Sequence, residues 1–234
     1  MSEVQYYGAG FPYRPMTDVP GKLIVLEGTD AVGRSTQIAM LRRWLEDTGY
    51  AVSDTWLRRG QLCGPGLDAA KSGHTLGPRT LSLFYATDFA DRLENQIIPA
   101  LKAGFIVLSD RYLYSIIARD VVRGADPVWA RKLYGFALKP DLVLYLRADV
   151  PTLVSRIVYG RGFNYWEAGM DIRCADNLYD SFCVYQSKLV EQFDNMATEY
   201  GFETIDATRT VATVNEDLRR HIKALFEREK EKHE

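Results

Sequence analysis

"LEGTDAVGRST", residues 26–36, carries two glycines five positions apart, Gly28 and Gly33, and two hydroxyl residues directly after Arg34. This spacing matches the phosphate-binding pattern G-x-x-x-x-G-K-[ST], except that arginine stands in the place of lysine. The apolar run "KLIVLE" at 22–27 precedes the loop and is typical of a buried strand, and a helical pattern follows it. A strand, a glycine loop and a helix in this order predict a site for nucleotide phosphates.

Each polar residue of the loop has an expected role. Gly33 would let the backbone approach the phosphates, and the N-terminal end of the following helix would add a favourable field. The Ser35 hydroxyl is a candidate ligand of Mg²⁺. Arg34 keeps the positive charge of the usual lysine but spreads it over a planar fork on a longer side chain. We therefore expect Arg34 to neutralise the transferred phosphoryl group with an altered geometry, and the preferred phosphate donor stays open.

The composition is that of an ordinary soluble globular protein. Of the 234 residues, 47% are hydrophobic and 26% charged, and the formal net charge is −2. A charge this small predicts neither a nucleic acid polymer nor a membrane surface as partner. The sequence shows no apolar run of roughly 18 residues, no secretory signal pattern and no C-x-x-C pairing among its three cysteines. We expect a cytoplasmic enzyme without structural zinc or disulfides.

Beyond the loop, short apolar runs alternate with helical patterns along the chain. Runs without a period-2 break are typical of strands buried on both faces of a parallel sheet. Strands separated by helices require crossover connections, so we predict an α/β, three-layer P-loop NTPase fold with a five-stranded parallel sheet flanked by helices. The predicted strands are residues 22–27, 50–56, 105–110, 141–147 and 202–206. One predicted helix follows the loop and stops at Gly49. The other predicted helices cover 78–102, 127–138, 151–159, 176–199 and 211–228.

The two ends of the chain differ from the middle. Residues 1–20 contain several glycines and prolines and three tyrosines, which predicts an irregular extension outside the core fold, although its aromatic side chains could dock on the protein. Residues 21–228 are predicted to form a single domain. The charged residues 229–234 are interpreted as a solvated tail.

A second motif closes the third predicted strand. The stretch "VLSDRY" places Asp110 and Arg111 at the carboxyl end of that strand. Ligands of open parallel sheets bind at these ends, so we expect both residues beside the glycine loop. An aspartate in this position corresponds to the residue that holds Mg²⁺ in P-loop enzymes, and Arg111 suits an anionic acceptor.

Six stretches, in the same order along the chain, resemble the thymidylate kinase family. They are "VLEGTDAVGRSTQ", "IIPALKAGFIVLSDRY", "PDLVLYL", "PTLVSRI", "GRGFNYWE" and "IDAT". The resemblance runs from about residue 22 to 225. It implies a nucleoside monophosphate kinase that forms homodimers and moves the γ-phosphoryl group of ATP, with Mg²⁺, onto dTMP.

The resemblance also implies how the donor nucleotide is held, with a lid near residues 156–172. Some family members carry an arginine at the loop position of Ala31, and others supply that charge from the lid, where Arg156 and Arg161 stand. Tyr165 occupies the place of a further lid arginine. Arg156 is also the candidate to stack on adenine. The implied donor-site residues are Gly28, Val32, Gly33, Arg34, Ser35, Thr36 and Arg156, and the implied catalytic residues are Asp30, Arg34, Arg111 and Arg161.

For the acceptor, the resemblance assigns Arg111 to the phosphate and Asp30 to the sugar and phosphate. Lys71 is expected to replace another phosphate-binding arginine. "TWLRRG" departs from the family's R-E-P-G, but Arg58 still brings positive charge to the end of the second strand. Ser115 remains from the family's S-S-x-A-Y-Q stretch.

The base site departs further from the family. Its members place a phenylalanine four residues before an arginine, the ring stacking on thymine and the arginine bonding to its carbonyl. Here Phe84 is followed at that spacing by Asp88, whereas Phe89 and Arg92 are three apart. Either a small insertion moves the pair to Phe89 and Arg92, or Asp88 faces the base. A carboxylate accepts hydrogen bonds and would suit a base that carries an amino group.

The charge pattern favours a phosphorylated acceptor. A nucleoside monophosphate is already mostly ionised at neutral pH, because its second pKa is near ~6. A kinase acting on a hydroxyl would profit from a carboxylate at the end of the second strand, where Arg58 and Arg59 stand instead. Two alternatives stay open. One is a kinase for another nucleotide or nucleoside; the other is a catalytically weak nucleotide-binding regulatory module, suggested by the departures at Ala31, Arg34, Asp88 and Tyr165.

Overall fold

The predicted five-stranded parallel sheet flanked by helices is confirmed. The computed structural model describes residues 4–11, 19–57, 63–73 and 76–231. The strand order is β2-β3-β1-β4-β5, and the apolar runs are buried on both faces, as parallel sheets require. The strands are β1 (Lys22–Gly28), β2 (Val52–Trp56), β3 (Ile106–Asp110), β4 (Leu142–Arg147) and β5 (Glu203–Asp206).

Three of the described helices begin at residues whose side chains cap them. The side chains of Asp126, Asp149 and Asn177 each accept a hydrogen bond from the backbone amide three residues later. The α-helices are α1 (Arg34–Asp47), α2 (Gly64–Gly73), α3 (Pro78–Arg92), α4 (Ile98–Lys102), α5 (Leu113–Val122), α6 (Pro127–Leu133), α7 (Val150–Val158), α8 (Leu178–Tyr200) and α9 (Val211–Glu231). Within the described ranges, we find no helix that combines the length and the apolarity needed to cross a bilayer.

Several elements differ from the sequence predictions. Strand β2 begins at Val52 rather than at residue 50. The helix predicted over 127–138 ends at Leu133, because the following residues turn and Leu138 forms an antiparallel bridge with Tyr6. Helix α5 was not predicted, and seven of its ten residues are buried.

The helix predicted over 78–102 is present but contains a π-helical segment. Leu93–Ile97 forms i→i+5 hydrogen bonds between α3 and α4. A π segment holds one extra residue in a helical turn and is often found at functional sites. It directly follows Arg92, a residue of the predicted base site.

The chain divides into two compact units. The first comprises the described residues within 1–25 and 42–141, and the second those within 26–41 and 142–234. In the first unit, Phe89 packs against Tyr112 with 4.8 Å between ring centroids and against Tyr134 with 5.6 Å. In the second, the rings of Tyr145 and Phe193 stack at 5.4 Å. Each unit therefore has its own aromatic core.

The described part of the N-terminal extension pairs with residues 137–139 of its own unit. The Tyr7 amide donates to the Ala137 carbonyl at 3.0 Å, and the Lys139 amide donates to the Gln5 carbonyl at 2.8 Å. The ring of Phe11 packs against Phe136 with 5.4 Å between centroids. Backbone hydrogen bonds and buried rings together hold this segment in place.

Candidate active site

The glycine loop has the backbone geometry of a phosphate-binding loop. It connects β1 to α1, and φ is positive at Gly28 (+144°), Ala31 (+63°) and Gly33 (+104°). A Cβ on Gly28 would lie 2.6 Å from the Leu146 carbonyl oxygen, so only glycine fits there. A Cβ on Gly33 would meet no atom within 4 Å among the described residues, and the loop is therefore open on that side. A non-glycine residue in the left-handed region, such as Ala31, is strained, and such strain is common at functional sites.

Arg34 folds back over the loop that it closes. Its Nη1 donates to the Gly28 carbonyl at 2.8 Å and also to the Thr29 carbonyl, and the side chain is buried. The two carbonyls belong to the first residues of the loop, while Arg34 is the first residue of α1. The guanidinium therefore brings a positive charge onto the loop itself.

The neighbours of Arg34 differ in exposure. Ser35 and Thr36, in the first turn of α1, are exposed, whereas Val32 and Asp30 are buried. The exposed hydroxyls lie at the positive end of a 14-residue helix. This end offers hydroxyl oxygens and amide donors of the kind that bind a phosphate with its metal ion.

Arg156 on α7 connects the loop to the turn after β5. Its Nη1 donates to the Val32 carbonyl at 2.9 Å, and its Nη2 donates to the Ala207 carbonyl at 2.6 Å. The predicted site residue Arg156 therefore lies next to the predicted loop, in contact with its backbone.

A buried pair of amides, which the sequence analysis missed, supports the same region. The Asn215 Nδ2 donates to the Gln37 Oε1 at 2.9 Å, and the Gln37 Nε2 donates to the Val211 carbonyl at 3.0 Å. These bonds tie α1 to α9. A polar side chain on the buried face of an amphipathic helix was the available signal.

The predicted lid region holds Arg161 on the surface. The segment after α7 consists of turns and one 3₁₀ turn, Met170–Ile172. The Arg161 Nη2 forms an ion pair with the Glu167 Oε2 at 2.6 Å. Tyr165 is exposed and makes an edge contact with Trp166 at 5.6 Å between centroids. Glu167 was not among the predicted site residues.

In the first unit, Arg111 adopts a strained conformation directly after β3. Its φ is +71° and its side chain is buried. The Arg111 Nη1 donates to the Ser115 hydroxyl at 2.9 Å, and the Ser109 hydroxyl donates to the Arg111 carbonyl at 2.6 Å. The two predicted acceptor residues Arg111 and Ser115 are thus in direct contact. Asp110, the last residue of β3, is half-buried.

The predicted base-site residues lie in a buried aromatic cluster. Asp88, Phe89 and Arg92 are fully buried. The Arg92 guanidinium carbon lies 5.5 Å from the centroid of the Phe89 ring, and Phe84 is only half-buried. Because Asp88 and Arg92 are equally buried, both stay open as the residue that contacts the base. Burial and the charges of Asp88 and Asp91 raise the pKa of the Cys63 thiol.

The remaining acceptor candidates have separate outcomes. The Lys71 Nζ donates to the Tyr85 hydroxyl at 3.2 Å. Arg58 and Arg59 lie outside the described residues. Arg147, at the end of β4, forms a two-point ion pair with Asp194, at 2.9 Å from Nε to Oδ1 and 3.0 Å from Nη2 to Oδ2. This pair joins β4 to α8.

Asp120 on α5 is a buried carboxyl group close enough to the ring of Tyr134 to affect the pKa of Tyr134. Burial raises its pKa from 3.8 to about 6, although the Ser82 hydroxyl and the charges of Arg123 and Arg119 oppose the shift. Its Oδ2 has no hydrogen-bond partner among the described residues. Between pH 3.8 and about 6 the folded state binds more protons than the unfolded state, so the free energy of unfolding falls as the pH rises through this window.

We expect Asp120→Asn to raise the free energy of unfolding at pH 7.5 by about 1–2 kcal/mol, because it removes a buried charge. The gain should shrink toward zero near pH 4, where the wild-type carboxyl group is already neutral. Urea unfolding at both pH values measures the difference, with the exposed Asp68→Asn as control. A gain that is equal at both pH values, or a loss at pH 7.5, would contradict the assignment.

Comparisons with known proteins bear on the whole chain. A model of the Thymidylate kinase family matches residues 26–218. The "Probable thymidylate kinase 2" of Saccharolobus solfataricus is 39% identical over 202 residues, which cover 86% of this chain and 94% of that protein. The "Probable thymidylate kinase" of Thermococcus onnurineus is 33% identical over 216 residues, 88% of this chain and 97% of that protein. The "Thymidylate kinase" of Brachyspira hyodysenteriae is 34% identical over 165 residues, 69% and 81% of the two chains.

Proposed function

The chain belongs to the thymidylate kinase family, and we propose that it transfers the γ-phosphoryl group of ATP to dTMP, giving ADP and dTDP. The observation that carries this proposal is the family match over residues 26–218, a range that contains both the glycine loop and Asp110–Arg111. The names of the relatives favour dTMP over another nucleotide and favour an enzyme over a regulatory module.

The donor, ATP, is assigned to the second unit. The open loop at Gly33, the buried guanidinium of Arg34 and the exposed hydroxyls of α1 support this assignment. Arg156, bonded to the loop and to the turn after β5, is proposed to contact the adenine. The proposed donor-binding residues are Gly28, Val32, Gly33, Arg34, Ser35, Thr36 and Arg156.

Mg²⁺ is proposed to accompany ATP. Ser35 and Asp110 would supply oxygen ligands, which this ion prefers, and both side chains are at least partly exposed. When bound, the ion neutralises phosphate charge. Phosphoryl transfer otherwise asks the protein for positioning and positive charge, which we assign to Arg34 and Arg161.

The acceptor residues are proposed from the family resemblance. The buried, strained Arg111 is proposed to bind the phosphate of dTMP. No general base is needed, because the acceptor phosphate is ionised at neutral pH. The further proposed acceptor residues are Asp30, Arg58, Lys71, Phe84, Phe89, Arg92 and Ser115.

The assembly is also a proposal from the family resemblance. We infer that residues 21–228 act as one kinase domain with a lid near 156–172, between an N-terminal extension and a charged tail at 229–234. We further infer that this domain forms homodimers in the cytoplasm. Size-exclusion chromatography with light scattering measures the oligomeric state directly.

A coupled assay of ADP release tests the reaction, with ATP, Mg²⁺ and a panel of monophosphates and nucleosides. We expect dTMP to be used best. Faster turnover of dCMP would mean that the carboxylate of Asp88 faces the base, and activity on nucleosides alone would contradict a phosphorylated acceptor. Calorimetric binding of ATP without turnover of any acceptor would favour the regulatory module instead.

A further inference from the structure

Arg161 stands in a segment that does little to orient its side chain. It follows α7 in a turn between Gly160 and Gly162, and Gly162 has a φ of +78°. The Arg161 side chain is 59% exposed. A long side chain in such a setting has many accessible rotamers, and ordering it costs conformational entropy. Among the described residues, the ion pair with Glu167 therefore restricts where the guanidinium points.

Glu167, in contrast, is held firmly by α8. Its side chain is only 18% exposed, and its carbonyl accepts a hydrogen bond from the buried Gln186 Nε2 at 2.7 Å. The carbonyl of the next residue, the buried Ala168, accepts from the Ser181 hydroxyl at 2.6 Å. Two side chains of one helix thus fix consecutive peptide groups of the lid region.

The packing of Gly169 strengthens this attachment. Its φ is +64°, and a Cβ there would lie 2.7 Å from the Tyr185 ring. The backbone after Glu167 therefore lies directly against α8, with no room for a side chain. Glu167 is a carboxylate on a fixed support, and Arg161 is a cation on a loosely held one.

We propose that Glu167 is a positioning residue for phosphoryl transfer, which holds the Arg161 guanidinium in the orientation that it needs toward the transferred group. This inference rests on the proposed function. An ion pair with an exposed arginine contributes little to folding stability. The contact instead orients the Arg161 guanidinium, because a cation that is already oriented loses less entropy when it meets the reacting groups. Glu167 itself does not touch the substrate in this account.

The test is the steady-state kinetics of Glu167→Gln with ATP and dTMP. Glutamine keeps the length of the side chain and leaves the backbone bonds to Gln186 and Ser181 intact, while it removes the charge. We expect kcat to fall about 5- to 20-fold, with the KM values for both substrates within about twofold of wild type. Glu191→Gln, an exposed charge removal on α8, is the matched control and should change neither constant.

A double-variant cycle separates positioning from a merely structural role. If Glu167 acts through Arg161, then Glu167→Gln should have almost no further effect on kcat in an Arg161→Ala background. Glu167→Asp, which keeps the charge on a shorter stem, should recover part of the loss, and it provides a second comparison if the glutamine variant folds poorly.

Three results would overturn the proposal. One is an unchanged kcat in a folded Glu167→Gln enzyme. A second is a multiplicative loss in the double variant, which would mean that the two residues act independently. A wild-type enzyme that is silent with every acceptor would overturn the proposed function and this inference with it, whereas an active wild type with an unchanged glutamine variant overturns the inference alone.

Discussion

Arg34→Ala is expected to lower kcat by about 100- to 1,000-fold, because removing one preorganised donor from a developing transition-state charge has an effect of this order. In the structure the guanidinium is buried on the glycine loop and bonded to the Gly28 and Thr29 carbonyls. Its loss therefore removes the positive charge from the loop that is proposed to hold the transferred phosphoryl group. The coupled assay at saturating ATP and dTMP measures the change in kcat.

Arg34→Lys tests whether a positive charge at this position is sufficient for turnover. We expect the lysine variant to retain most of the turnover, since lysine is the residue of the phosphate-loop pattern. Arg43→Ala, on the same helix with a side chain that is 87% exposed, controls for the loss of a surface arginine and should leave kcat unchanged. An alanine variant with near wild-type turnover would contradict the role, and an inactive lysine variant would mean that the planar fork is required.

Arg111→Ala is expected to act on the acceptor instead. We predict a rise of about 100-fold in the KM for dTMP, with kcat for saturated enzyme within about tenfold of wild type, because a buried arginine binds phosphate through charge-assisted hydrogen bonds. The KM for ATP should stay within a few-fold. Initial rates over a matrix of ATP and dTMP concentrations separate the two constants.

Replacing Arg111 by alanine removes the guanidinium while the backbone strain stays nearly the same. Arg111 has a φ of +71°, and alanine keeps a Cβ, so the cost of the left-handed conformation remains nearly the same in the variant. What changes is the guanidinium and its hydrogen bond to Ser115. If the KM for ATP rises as much as that for dTMP, then Arg111 does not belong to the acceptor site as proposed.

Most of the fold was predictable because its signals are local. Buried parallel strands are continuous apolar runs, and the glycine loop has a fixed spacing. Helix α5, which is mostly buried, was not predicted. The helix from residue 127 was predicted five residues too long, because the pairing of Leu138 with Tyr6 joins positions far apart in the sequence.

The residues of the candidate site also fall into two groups, those that local sequence patterns predicted and those that only the folded structure revealed. Residue type and spacing pointed to Arg34, Asp110 and Arg111, since a phosphate loop and a strand-end aspartate are short motifs. Glu167 stood only as the last residue of the stretch "GRGFNYWE" and received no role, because residue type and spacing do not show which side chain a carboxylate contacts. Only its contacts with Arg161 and Gln186 give it a role.

The amino-acid sequence by itself determined the class of fold, the glycine loop with its phosphate-binding spacing and the membership of the family, since each depends on neighbours along the chain. Only the tertiary structure decided which carbonyls the Arg34 guanidinium contacts, that the strained Arg111 donates to Ser115, and that α8 fixes the partner of Arg161. The physical reason is that the direction and burial of a side chain depend on groups that folding brings together from distant positions, and no local pattern records those encounters.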